Sequence, residues 1–159
     1  MFYDETKVFL KAGNGGDGCM SFLRQKYMPN GGPNGGNGGK GGDLILLADE
    51  NVSDLRNYHF KKHWKAKNGD PGRGSDQNGR GGEPCVLKVP LGTEVRDMDS
   101  GELVCELLDH KQEILLLEGG KGGRGNTTFK SSINQTPRQF TEGKLGEEVE
   151  YKFTLKTIA

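Results

Sequence analysis

Gly31-Gly32-Pro33-Asn34-Gly35-Gly36-Asn37-Gly38-Gly39-Lys40-Gly41-Gly42 decides how this chain folds. Eight of these twelve residues are glycine, one is proline and none is apolar. From Gly35 onward the pattern is Gly-Gly-x, with a repeat of three. That repeat fits neither the 3.6 period of an α-helix nor the period of two of a strand. Three residues per turn is the period of polyproline II. A chain with no side chain at two positions in three can lie directly against another backbone. The stretch therefore predicts extended segments packed backbone to backbone. Gly31, Gly32, Gly35, Gly36, Gly38, Gly39, Gly41 and Gly42 are its structural glycines.

The competing reading is a disordered tail. Proline and glycine together make 33 of the 159 residues, below the roughly 25–30% that marks low complexity. An ordered glycine costs about 0.5–1 kcal/mol relative to alanine, so 27 of them need a reason. They fall in separate clusters, at 13–18, 31–42, 69–82, 119–125 and 143–146, with strand-like segments between. Several clusters predict strips that meet in space, and a folded bundle is favoured over disorder.

Hydrophobic residues make up 31% of the chain, which argues against one large core. A length of 159 residues predicts one domain. No run of 18 apolar residues exists to cross a membrane. Met1-Phe2-Tyr3-Asp4-Glu5 lacks the character of a signal peptide. Cys19, Cys85 and Cys105 are widely spaced and odd in number, which reads as reduced thiols in a cytoplasmic protein, and no CxxC supports zinc. Net charge is zero but unevenly spread. Residues 19–42, 56–82 and 119–146 carry +3, +5 and +4, whereas 43–55 and 83–118 carry −4 and −6. The positive blocks coincide with the long glycine stretches. If the strips bundle, one pole is basic and favours polyanions; the bland alternative is a solvated charged surface.

Strands are expected at Lys7 to Ala12, Asp43 to Ala48, Pro84 to Pro90, Thr93 to Met98, Glu102 to Leu108, Glu113 to Leu117, and Val149 to Leu155. Asp99-Ser100-Gly101 reads as a hairpin turn. Asn51 to Tyr58 predicts one helical turn, with Ser53 as a cap. No long helix is expected. The fold class is mainly β: a small antiparallel barrel or sandwich as the base, at 3–11, 43–66, 83–118 and 147–159. A projection of glycine-rich polyproline II helices occupies mainly 12–42, 69–82 and 119–146.

Catalytic patterns are missing. Lys40 and Lys121 are each followed by glycine, and neither has a glycine six places before it, so neither makes a P-loop. Gly36-Asn37-Gly38-Gly39-Lys40-Gly41 matches GxGxxG but precedes a strand, the wrong order for a dinucleotide turn. His59 and His63 lack a third metal ligand nearby and read as polar residues of a basic loop. No catalytic, metal or cofactor residues are assigned. The segment 125–140 is rich in hydroxyls, amides and cations and reads as a loop built to hydrogen-bond something large. In 21–29, Arg24 and Lys26 lie beside Phe22 and Tyr27. Aromatics can stack unpaired bases while cations hold phosphates; equally, the rings are core and the cations solvated.

Five ordered blocks carry a resemblance that covers essentially the whole chain: Ala12 to Phe22, Lys26 to Asp43, Val89 to Val95, Gly119 to Gln139, and Gly146 to Lys156. They resemble the N-terminal domain of the Obg family of GTPases. The resemblance implies a β base carrying polyproline II helices, followed in the parent by a Ras-like domain that binds GTP and Mg2+, hydrolyses GTP, and is absent from these residues. It also implies docking on the large (50S) ribosomal subunit, against 23S rRNA and ribosomal proteins, with the tip placed much as a tRNA acceptor end. The parent acts in ribosome biogenesis and responds to GTP, GDP and a stress nucleotide. The family's tip loops map onto Lys26, Arg73, Arg80, Lys121, Arg124, Lys130 and Arg138 as candidate rRNA contacts, with Arg24 and Tyr27 second. Asn30 and Gln135 stand where a basic residue is usual, which bears on how tightly the tip grips RNA. The alternative function is a scaffold for regulatory proteins. A cytoplasmic monomer is expected.

Overall fold

The computed structural model describes residues 2–23, 31–131 and 134–157. Arg24, Lys26, Tyr27 and Asn30 lie outside the described residues. Among the described residues eight strands and one short α-helix run in the order β1 (Phe2–Lys11), β2 (Leu44–Ala48), α1 (Arg56–Phe60), β3 (His63–Lys65), β4 (Cys85–Val89), β5 (Thr93–Asp97), β6 (Leu103–Leu107), β7 (Glu113–Leu117) and β8 (Glu148–Thr157). They make a five-stranded sheet, β3-β1-β8-β5-β6, and a three-stranded sheet, β4-β2-β7.

β1 and β8 pair antiparallel along ten residues and form the spine of the larger sheet. Their period-two pattern turns Val8 and Leu10, and Tyr151, Phe153 and Leu155, inward. β2 has the short apolar run of a strand covered by neighbours, and Leu44, Leu46 and Ala48 are fully buried. Both sheets contribute to one core cluster, in which Leu87 and Leu117 of the smaller sheet join Val95, Leu107 and Phe153 of the larger. Each fully buried Leu or Phe stabilises by about 1.5–3 kcal/mol.

The base is neither closed into a barrel nor wholly antiparallel. β1 pairs with β3, and β2 with β4, in parallel. Parallel neighbours need a long crossover, and the glycine excursions between these strands provide one. β3 and β6 end the larger sheet, β4 and β7 the smaller, so the layers meet through side chains. The predicted helical turn begins later than expected: its N-cap is Leu55, with no side-chain cap bond. Leu55 is buried in the core and leads into the helix, which overrides Ser53 as a start signal. β5 and β6 form the expected hairpin, with Gly101 at φ 74 in the turn.

The glycine clusters leave these sheets as six extended strips, 12–23, 31–42, 66–73, 77–83, 118–126 and 141–147, bonded side by side. The amides of Gly13, Gly16 and Cys19 donate to the carbonyls of Gly42, Gly39 and Gly36. Those of Ala12, Gly15 and Gly18 donate to Glu147, Lys144 and Thr141. Those of Gly36, Gly39 and Gly42 donate to Arg73, Asp70 and Lys67, and those of Gly120, Gly123 and Asn126 donate to Gly13, Gly16 and Cys19. Every series steps by three residues, so successive amides of one strip face different neighbours. The second strip bonds to four others. A methyl carbon at Gly31, Gly35, Gly36, Gly38, Gly39, Gly41 or Gly42 would overlap a carbonyl of an adjoining strip. Gly32 differs: there a methyl carbon would approach only Lys130 Nζ, at 3.7 Å.

Candidate nucleic-acid interface

The strip register orders the predicted cations along the bundle. Lys67, Glu83, Gly42 and Gly13 share the level nearest the sheets. Arg73 lies level with Gly36 and Cys19 at the far end, and Arg124 is tied there to Thr141 and Gly18. Arg80 sits one triplet nearer the sheets than Arg73, and Lys121 one triplet nearer than Arg124. Lys130 and Arg138 belong to the loop beyond the strips. Hence Arg73, Arg124, Lys130 and Arg138 gather at the distal end, with Arg80 and Lys121 on the flanks. All six are exposed. None forms an ion pair among the described residues.

Two depressions flank this end. One, of about 620 Å³, runs between Arg73 and Arg80 and includes Asp70 and Gln77. The other, of about 510 Å³, is lined by Ser21, Phe22, Asn34, Gly74, Ser75 and Arg138. The Arg138 guanidinium lies over the Phe22 ring, 5.8 Å from its centroid. Phe22 is half-buried, and one face of its ring meets this cation. The turn between the third and fourth strips is tight, with Ser75 and Asp76 at φ 62 and 56. Its Asp76 carboxylate accepts a bond from Thr127 Oγ1 at 3.0 Å. That bond joins the turn to the 3-10 segment Asn126–Phe129.

The groups that fix this end escaped the reading of the sequence. Asn126 is fully buried. Its Oδ1 accepts from Gly35 N at 2.8 Å, and its Nδ2 donates to Ser21 O and Pro137 O at 2.8 and 3.1 Å. One amide thus ties three segments. Asn14, Asp17, Asn37 and Asp43 act likewise: their Oδ1 atoms accept from the amides of Gly146, Gly143, Gly125 and Gly119 at 2.8–2.9 Å. Asx side chains recur every third residue at 14 and 17 and at 34 and 37, the signal that would have found them. Asn34 is the exception, its buried Oδ1 having no hydrogen-bond partner among the described residues.

His59 and His63 lie in regular elements, α1 and β3, and not in the expected loop. His59 lies 2.6 Å from Asp4 Oδ1, and His63 stacks on Phe9. Among the described residues no group of three or more His, Cys, Asp or Glu side chains is placed to hold a metal ion. No helix among them is long and apolar enough to cross a membrane.

A family model described as GTP1/OBG matches residues 3–157. The chain belongs to the GTP1/OBG family. Proteins named "GTPase Obg" are similar along its whole length. That of Sulfurihydrogenibium sp. is 48% identical over 159 residues, covering all of this chain and 46% of the relative. That of Orientia tsutsugamushi (strain Ikeda) is 48% identical over 99% of this chain and 48% of the relative. That of Desulfotalea psychrophila is 47% identical over 99% of this chain and 42% of the relative. The chain spans about half the length of the curated Obg relatives it matches.

Proposed function

We propose that this chain is the RNA-docking domain of an Obg-type GTPase, and that its distal end binds rRNA of the large ribosomal subunit in the course of ribosome assembly. One observation carries the reading. Four exposed cations, Arg73, Arg124, Lys130 and Arg138, stand without ion-pair partners among the described residues at the end of a laterally bonded rod. Such cations on a narrow rigid support suit phosphates in a confined site, where a tRNA acceptor end would otherwise lie. The strips are read as left-handed polyproline II helices, supported by the three-residue step of their bonds. GTP and Mg2+ are assigned to the part of the longer protein outside these residues, and hydrolysis with them. The chain is proposed to act in the cytoplasm as a monomer.

The test is co-sedimentation with purified large subunits across a salt series. Removing one phosphate-binding cation lowers the salt slope by about one. Arg73→Ala with Arg138→Ala is expected to lower it by about two, and an unchanged slope refutes the tip assignment. A second reading, a regulatory protein partner, draws on β6 and the residues flanking it, where Leu103, Val104 and Leu108 are exposed beside Glu102, Glu106 and Asp109. Binding to that partner would survive nuclease and high salt.

A further inference from the structure

The most cationic stretch of the molecule is not at the tip. Residues 56–67 hold Arg56, Lys61, Lys62, Lys65 and Lys67 with no carboxylate among them, and Tyr58, Phe60 and Trp64 are interleaved. The stretch comprises α1, β3 and the link between them, and it runs directly into the third strip. β3 is the outermost strand of the larger sheet, so this is an open edge.

We infer that this edge is a second RNA-binding strip, taking a single-stranded, unpaired segment at the sheet end of the molecule. Its side chains divide into the two kinds such a segment needs. The parallel register sets Lys65 directly beside Lys11, a like-charge pair that Glu148, the other cross-strand neighbour of Lys11, relieves on one side only and that an anion above it would relieve further. Among the described residues Lys62 Nζ bonds to a hydroxyl, Thr6 Oγ1 at 3.2 Å, and Lys61 Nζ lies over the Trp64 ring at 4.3 Å. Nearby carboxylates are engaged: Asp4 with His59, Asp54 with Arg56, and Glu83 with Lys67. Glu148 and Glu150 of β8 face Lys11 and Phe9 across the far side of β1 from β3.

Flat rings complete the strip. Phe9 and His63 lie 4.6 Å apart and 9° from parallel, and Phe9 is 39% exposed. Phe60 is 84% exposed, more than any other large hydrophobic residue described. Lysines alone would be explained as guards against edge-to-edge pairing. An exposed phenylalanine works against that purpose, whereas a base stacked on it does not. A membrane surface fits less well, because Trp64 is half-buried against Tyr58 and leaves Phe60 the lone strongly projecting apolar group of the stretch. The proposal is independent of the tip: either site can exist without the other.

The test uses the whole chain and a short labelled single-stranded RNA, read by fluorescence anisotropy across a salt series and by ultraviolet cross-linking mapped to residues. Wild type is compared with Lys62→Gln/Lys65→Gln, with Phe60→Ala, and with the tip variant Arg73→Ala/Arg138→Ala. Cross-links within 56–67 that persist in the tip variant are expected, and they separate this edge from the tip. The double lysine variant is expected to lower the salt slope by about 1.4, the value for two single-strand phosphates. Phe60→Ala is expected to weaken binding roughly five-fold or more, the loss of one stacked base. Absence of cross-links in 56–67, or edge variants that bind as wild type does, overturns the proposal. So does equal competition by polyglutamate, which would mark an acidic protein partner. Phe60-dependent binding to vesicles of phosphatidylcholine and phosphatidylserine without RNA binding would mark a membrane and overturn it too.

Discussion

Replacing Gly38 by alanine puts a methyl group where the bundle has no room. The new carbon would overlap the Gly16 carbonyl group, far inside the 3.4 Å at which ordinary contact begins, and would stand 2.8 Å from Asp17 O. Both neighbours are backbone, so no side chain can swing away. Relief requires the backbones at Gly38 and Gly16 to part by about 1 Å or more, which disturbs the 2.8 Å bonds that tie the first, second and fifth strips together there. Three such bonds meet at this point: Gly38 N to Gly123 O, Gly16 N to Gly39 O, and Gly123 N to Gly16 O. At about 0.5–1.5 kcal/mol each, their loss amounts to roughly 2–4 kcal/mol. That corresponds to a fall in Tm of about 4–16 °C for a chain of this size. Gly81→Ala is the control, because its methyl would come no closer than 3.7 Å to Lys40 O. It removes only chain entropy from the unfolded state and is expected to be neutral or to stabilise by about 0.4–1 kcal/mol. The assay is thermal and urea unfolding followed by circular dichroism. A Gly38→Ala protein that melts with wild type refutes the close-packed bundle.

Asn126→Ala leaves the buried Gly35 amide and Pro137 carbonyl without partners and is expected to cost about 2–5 kcal/mol in urea unfolding. Phe153→Ala opens a cavity in the core shared by both sheets and is expected to cost about 3–5 kcal/mol by the same measurement. Burial pushes the Cys105 thiol from 9.0 to about 11. The unfolded thiol therefore ionises first, and its contribution to stability, complete below pH 9, is lost as pH rises towards 11. Burial likewise raises Tyr58, Cys85 and Tyr151, which act in the same sense. Urea midpoints are expected to fall through that window, less steeply in Cys105→Ala.

Much of the base was legible because its strands carry their own boundaries. Pro84 and Pro90 bracket β4, glycines precede β2, and β8 alternates without interruption. β3 was not legible: three residues, two of them polar and exposed, become a strand only because β1 lies alongside. Openness of the base also escaped the sequence, since strand patterns say nothing of which edges meet. Among the glycines, the three-residue repeat announced close packing, and the second strip shows it at every glycine but Gly32. The Asx bonds did not show, because an asparagine that spans two strips looks like any polar residue until the register is known. Arg73, Arg124, Lys130 and Arg138 were readable as cations, but their separation from Arg80 and Lys121 depends on that register.

Because each strip meets its neighbours once per triplet, the length of the rod is quantised. One residue inserted after Gly39 would bring side chains into backbone-lined seams from that point on and misdirect every later amide. Lengthening is tolerated only in whole triplets, and then only if the adjoining strips grow together. The reach of the tip from the sheets can change in steps but cannot drift.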